Sequence, residues 1–318
     1  PTFSEFPHTD FSELKYEPLF YVIVAFSKLL HPDFAIFQFV QASIVNIIFF
    51  YFIATRTLYK FSSICLYFIL MYFYFNMEIM RESMSVCTFL LSIKYIEKKN
   101  YLVYYLFAII DYLIHTSAIF LFPFPLLYSV LQKGTKCLFL VFAFMIFLFV
   151  YIMTTPTILL YLPLKVALKL YGYISGGPMD PKGAILNYIH IIALWLILIV
   201  GKRNKCLNPQ FVPFLKMNIL IYSLTPFIAG IYRLANYFII FEILGLVNVY
   251  LESLKLWKIR QVSCLQILCS GMLLLMLKIQ HETINTSEYA AHTRFYNLYI
   301  PYESILTSKR HPNRENIY

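Results

Sequence analysis

The chain has 318 residues, 60% of them hydrophobic and only 13% charged, with a mean hydropathy of +0.69 and a formal net charge of +10. A soluble globule of this size cannot hide so much apolar surface, so the composition points to a polytopic membrane protein. The basic residues fall mostly in short runs between apolar segments, which writes membrane topology rather than nucleic-acid binding. Alternation of period two is absent from the long apolar runs, so the fold class expected is all-α and not a β-barrel.

Residues 1–17 are polar and aromatic and carry Asp10 and Glu17. Pro18 opens a short apolar run, Leu19–Leu30, which His31 and Pro32 close. A run of this length is too short to span, so it reads as an amphipathic helix at the membrane surface, within an outer loop covering residues 1–33. Phe34–Ala54 is the first full-length span. The run from Phe61 to Ile96, with Arg81 near its middle, is too long for one helix and short for two, and Tyr101–Leu131 repeats the pattern around Asp111 and His115. Cys137–Met153 spans again.

Residues 154–184 form the longest internal connection, with an amphipathic piece at Thr157–Leu170 and a breaker cluster at Ser175–Gly183. Ile185–Val200, Phe214–Tyr232, Tyr237–Leu251 and Val262–Leu277 complete the spans, and 280–318 is a polar tail. The whole chain, 1–318, therefore reads as a single transmembrane domain with its helices in 34–279. The six cysteines form no CxxC pair, so neither a disulfide framework nor a metal site is expected, and no cofactor. The chain starts at Pro1 with no signal peptide, so residues ahead of it are expected to be missing.

The positive-inside rule puts Arg56/Lys60, Lys98/Lys99, Lys133/Lys136, 202–205 and 255–260 in the cytoplasm. Each adjacent pair then encloses two crossings, about ten spans in all. The turns holding Arg81, His115 and Arg233 face outside. Hairpins 61–97 and 101–132 give each leg fewer than the roughly 20 residues a crossing needs, so their turns are expected to sit in a recess below the outer surface.

An ionisable group within apolar sequence usually lines a cavity or a path. Arg81 shares a helical face with Glu78 and Ser85. It reads either as an ion pair with Glu78 or as an anion clamp, since guanidinium matches phosphate oxygens. His115 follows Asp111 by one turn, a spacing at which the carboxylate fixes the imidazole or makes a structural hydrogen bond. Arg233, Asn236 and Tyr237 make a second polar face at an outward turn, read either as an interfacial anchor or, with Arg81 and His115, as a site for a polyprenyl diphosphate. Glu17 and Asp10 are candidate general bases for a sugar hydroxyl, against the plain alternative of solvated loop carboxylates.

Several short motifs carry a resemblance. They are Glu17-Pro18-Leu19-Phe20-Tyr21, Met80-Arg81-Glu82-Ser83-Met84-Ser85, Ile114-His115-Thr116-Ser117-Ala118-Ile119, Tyr232-Arg233-Leu234-Ala235-Asn236-Tyr237-Phe238 and Tyr299-Ile300-Pro301-Tyr302. In this order they resemble the EPGY loop, LRQ-x-LA helix start, FHxSAL turn, R-x-x-YF turn and closing PY segment of the EpsG family of exopolysaccharide polymerases, related in role to Wzy O-antigen polymerases. Glu82 stands where the pattern has glutamine, Ser85 where it has alanine, and Leu19 where it has glycine.

The resemblance implies a GT-C-like helical bundle in the bacterial cytoplasmic membrane, with a spanning helix ahead of residue 1 and catalysis at the outer face. It implies a glycosyltransferase that joins polyprenyl-diphosphate-linked oligosaccharide repeat units for exopolysaccharide, capsule or O-antigen. Arg81 and Arg233 would bind the diphosphate, His115 would hydrogen-bond there, and Glu17 is the preferred base. Membrane lipid and other export or chain-length proteins are the partners implied. A lipid-linked oligosaccharide flippase and a membrane acyltransferase are the alternatives. Neither internal repeats nor charges at several depths support the first, and the charge rule places His115 on the wrong side for the second.

Overall fold

The computed structural model describes residues 17–31, 33–134 and 179–256, together with a few helical residues between 140 and 172. Asp10, most of 137–178, the Val262–Leu277 span and the tail lie outside the described residues. Every regular element among the described residues is helical.

Helix α1, Pro18–Leu30, begins with proline in its first turn and ends at His31, whose extended backbone is the conformation that a following proline imposes. Helix α2, Phe34–Arg56, is capped by Asp33, which accepts from the Ala35 amide at 3.0 Å. Its 23 residues reach about 35 Å, enough to cross a bilayer.

Helix α3, Lys60–Tyr67, continues through two wider turns at Phe68–Tyr72 and Tyr74–Glu78. Such π-turns misalign the helical hydrogen bonds and leave carbonyls over. Here Gln41 of α2 donates to the Phe75 carbonyl at 3.3 Å, and Asn46 of α2 donates to the Asn76 side chain at 3.3 Å. The helix then breaks at Ile79 (φ −112°, ψ 43°).

Helix α4, Met80–Glu97, is buried on nearly all sides. It packs between α2 and α5, Tyr101–Ile114. At His115 the chain turns through a 3-10 segment, Thr116–Leu121, into α6, Phe124–Gln132. The first leg, 14 residues, corresponds to about 21 Å, short of a bilayer, and the return leg is divided between the 3-10 segment and the nine residues of α6.

Asp180 caps helix α7, Pro181–Arg203, by accepting from the Gly183 amide at 3.2 Å. Helix α8, Val212–Leu224, stops where the sequence reads Thr225-Pro226. The single span expected over Phe214–Tyr232 is therefore divided. Proline ends the helix, and a separate 3-10 segment, Ala229–Tyr237, carries Arg233. That segment meets helix α9, Ile239–Leu256, at 61°. Among the described residues, α2 and α7 are each long and apolar enough to cross a membrane, and the bent pair is either one broken span or a re-entrant loop.

The core is aromatic. Phe214 of α8 stacks on Phe241 of α9 at 3.8 Å, and Phe89 of α4 and Phe124 of α6 meet Phe238 at 5.5 and 5.2 Å. Lipid chains are as apolar as these rings, so within a membrane the gain comes from close packing and ring geometry. Conversely, Ile185, Leu186, Ile189, Ile192, Leu196 and Ile199 of α7 are all exposed, an outward stripe suited to acyl chains. The chain is a membrane protein on these helices.

One end of the bundle is tied by polar bonds between helix termini. Arg56 makes a two-pronged pair with Glu97 (2.6 and 2.8 Å) and reaches Gln210 at 3.3 Å. Thr57 bonds Asn248 at 2.6 Å, Tyr59 bonds Glu252, and Asn204 bonds Ser253 at 3.2 Å. Lys98, Lys99, Lys202 and Arg203 sit at the same helix ends. The opposite ends of α2 and α4 hold the candidate site.

Candidate functional site

Three breaks in helical backbone build the site. Because the chain leaves helical geometry at Ile79, α4 starts with Met80, Arg81 and Glu82 projecting at its N-terminal turn. Because α5 ends at His115 in extended conformation, the imidazole and Thr116 sit at a corner. The Ala229–Tyr237 segment brings Arg233 and Asn236 to the same place.

Glu17 joins the first two. One carboxylate oxygen accepts from Arg81 Nη1 at 2.9 Å. The other accepts from both the Thr116 amide (2.8 Å) and the Thr116 hydroxyl (2.7 Å) and lies 3.7 Å from His115 Nδ1. The carboxylate is therefore a latch between α1, α4 and the α5 corner. Burial alone would raise its pKa, but the two Thr116 donors and the His115 ring outweigh that and hold it below the ordinary glutamate range. The Arg81 guanidinium also lies over the Phe20 ring at 5.7 Å.

Glu82 forms the second joint. Its Oε1 accepts from Asn236 Nδ2 at 2.7 Å, and its Oε2 lies 3.9 Å from His115 Nε2. Asn236 also approaches the Tyr74 hydroxyl at 3.5 Å. Beneath this layer Ser85 bonds the Tyr237 hydroxyl at 2.8 Å and donates to Asp111 Oδ1 at 3.4 Å. Asp111 thus turns its side chain to Ser85. The carboxylates beside the His115 ring are Glu17 and Glu82, and Asp111 holds His115 through its backbone carbonyl, at 2.8 Å. Arg81, for its part, pairs with Glu17, from a helix 64 residues away in sequence.

These groups border a cavity of about 470 Å³. Arg81, Glu82, His115 and Arg233 line its polar end, and Phe20, Val24, Phe34 and Phe37 of α1 and α2 line its apolar side. Lys28, His31 and Asp33 stand where α1 passes into α2. The structure therefore brings Arg81, His115 and Arg233 to the lining of one space, with Glu17 and Asn236 bonded to lining residues behind it and Tyr237 and Asp111 in the layer below. Asp10 lies outside the described residues.

Sequence reasoning missed Thr116, although it sits inside the Ile114–Ile119 motif, and it noted Glu82 only as a departure from a pattern. Phe20, Val24, Lys28 and His31 share one face of α1, a regularity visible in the sequence but without meaning until α1 docks on α2 and α5 and turns that face to the cavity. Among the described residues, no group of three or more His, Cys, Asp or Glu side chains is arranged to hold a metal ion. The family profile described as the EpsG family matches residues 2–304. No curated protein and no solved structure shows a significant match to the chain.

Proposed function

This chain belongs to the EpsG family of exopolysaccharide polymerases, and from that premise we propose that it is a glycosyltransferase acting on polyprenyl-diphosphate-linked oligosaccharide repeat units at the outer face of the bacterial cytoplasmic membrane. A hydroxyl of one unit attacks the anomeric carbon of another. The new C–O bond forms as the bond to phosphate breaks, the hydroxyl proton is released, and polyprenyl diphosphate leaves with the electron pair. Diphosphate is a good leaving group, so cations that meet its growing charge carry much of the catalysis.

The observation that carries this reading is the convergence of Arg81, Arg233 and His115, from three different helix breaks, on one cavity whose other wall is apolar. A lipid-borne diphosphate has that same division between charge and hydrocarbon. Arg81 and Arg233 take the phosphate oxygens, and His115 Nε2 hydrogen-bonds beside them. Glu17 keeps Arg81 aimed, and its low pKa suits a fixed anion better than a proton acceptor. The outward orientation draws support from the basic residues at the far helix ends, which the positive-inside rule assigns to the cytoplasm. The short second hairpin is consistent with a recessed turn.

The test is reconstitution. Purified protein in liposomes, supplied with lipid-linked repeat units, is expected to give a ladder of longer glycans and to release polyprenyl diphosphate. Intact repeat units with no ladder would overturn the reading.

A further inference from the structure

Helix α1 is apolar on two faces. Phe20 and Val24 line the cavity, while Val22, Phe26, Leu29 and Leu30 are exposed on its outside. An outer face of that kind suits acyl chains, so α1 forms a wall between the cavity and lipid. The wall stops at the elbow where α1 passes into α2. There Lys28, His31, Asp33 and Phe34 line the cavity and are also exposed. Leu29, Leu30 and Phe34 stand 63%, 61% and 60% exposed beside the charges. The other exposed lining residues, Glu78 and Arg233, are both charged. The elbow is thus the part of the rim where polar groups and bare hydrocarbon meet.

The elbow's polar groups favour an anion. Lys28 makes no ion pair among the described residues. Asp33 turns one carboxylate oxygen to the Ala35 amide, capping α2. His31 Nδ1 accepts from the Asp33 amide at 3.2 Å, which leaves the ring proton on Nε2 as a donor. An ammonium and an imidazole N–H beside exposed leucines match a phosphate carried on a hydrocarbon chain.

Resting on the glycosyltransferase reading above, we propose that this elbow is the docking site at which the polyprenyl diphosphate substrate enters from the outer leaflet. Lys28 and His31 Nε2 take its phosphate oxygens, and its first isoprene units lie along Leu30 and Phe34. The charged group then moves within the same cavity to Arg81, Arg233 and His115, so it never crosses hydrocarbon. The elbow governs capture, and the inner cations govern the reaction.

Two experiments in liposomes test this. With lipid-linked repeat units, Lys28→Gln is expected to raise KM about tenfold, the loss of one charge-assisted contact to phosphate, and to leave kcat within about twofold. Lys28→Arg should restore KM. An unchanged KM, a fall in kcat of similar size, or no rescue by arginine would overturn the docking site and leave the polymerase reading standing. Wild-type protein that extends no chains would overturn both. In the second experiment p-benzoylphenylalanine replaces Leu30 or, as a control of similar exposure (57%), Ile189 of α7. Radiolabelled undecaprenyl diphosphate is expected to label the Leu30 position several-fold more strongly, and excess phosphatidylglycerol should not displace it. Equal labelling at the two positions would overturn the proposal. Displacement by phosphatidylglycerol would also overturn it, by assigning the elbow to bulk anionic lipid.

Discussion

Two sets of the same three residue types stand in this molecule and behave differently. His115 and Glu82 line the cavity, with Asn236 bonded to Glu82 behind it. His190, Glu242 and Asn218 join α7, α9 and α8. In the second set His190 Nε2 meets Glu242 at 2.9 Å, Asn218 donates to the other carboxylate oxygen, and the His190 ring lies 4.4 Å from that of Tyr222. In the first set Asn236 still donates to the carboxylate, but the imidazole stops 3.9 Å short. The difference is backbone. Members of the second set lie on helices, where facing side chains close onto one another. Members of the first sit at helix breaks, which hold them apart around a space. A closed set fastens helices together, whereas one held open can admit a ligand.

Four experiments break or sharpen that contrast. The largest effect is expected at Arg81. Arg81→Ala leaves Glu17 its Thr116 donors, so the protein should fold, yet in vitro polymer yield should fall by about a hundredfold, the scale of losing one preorganised transition-state cation. Yield within twofold of wild type would remove the functional half of the comparison.

Glu17→Gln comes next. It frees Arg81 from its counter-ion and should lower yield about tenfold and stability by about 2 kcal/mol. Its pH dependence has a definite sign. The folded-state pKa is lowered, so the latch contributes fully above the ordinary glutamate range and is lost as pH falls through the lowered value. The melting temperatures of wild type and Glu17→Gln should therefore differ steadily at neutral and alkaline pH and converge only in acid. A gap that closes near neutrality would contradict the latch.

His190→Ala addresses the closed set. Loss of an interhelical bond within a membrane should cost about 1–2 kcal/mol, seen as a melting point a few degrees lower. Turnover per folded molecule should stay as in wild type, and a selective loss of turnover would make this set functional too. The smallest effect is expected from Thr57→Val, which removes the 2.6 Å bond to Asn248 at the far end of the bundle. About 1 kcal/mol of stability is at stake, with the product ladder unaltered.

Much of the frame was legible from residues 17 to 134. Pro18 and Pro32 bracket α1, Asp33 caps α2, and the overlong run 61–96 divides at Ile79, close to Arg81 as its length required. The run 101–131 likewise turns at His115. Beyond residue 200 the reading was poorer. Phe214–Tyr232 looked continuous in hydropathy, and the interruption at Thr225-Pro226 was passed over, so the 3-10 segment carrying Arg233 came as a finding. Hydropathy averages over a window and does not register the loss of one amide donor, whereas a helix does.

Local patterns in the sequence established the helical class, the membrane setting, the breaks near Arg81 and at His115, and the family, because period, proline and charge act within a turn or two of where they stand. Partnerships came only from tertiary structure. That Arg81 meets Glu17, that Asp111 serves Ser85 while Glu82 faces His115, and that three separate turns share one cavity depend on how α1, α2, α4 and α5 pack. Buried ions and polar groups bind whichever partner that packing brings within hydrogen-bond reach, and no spacing along the chain encodes that choice.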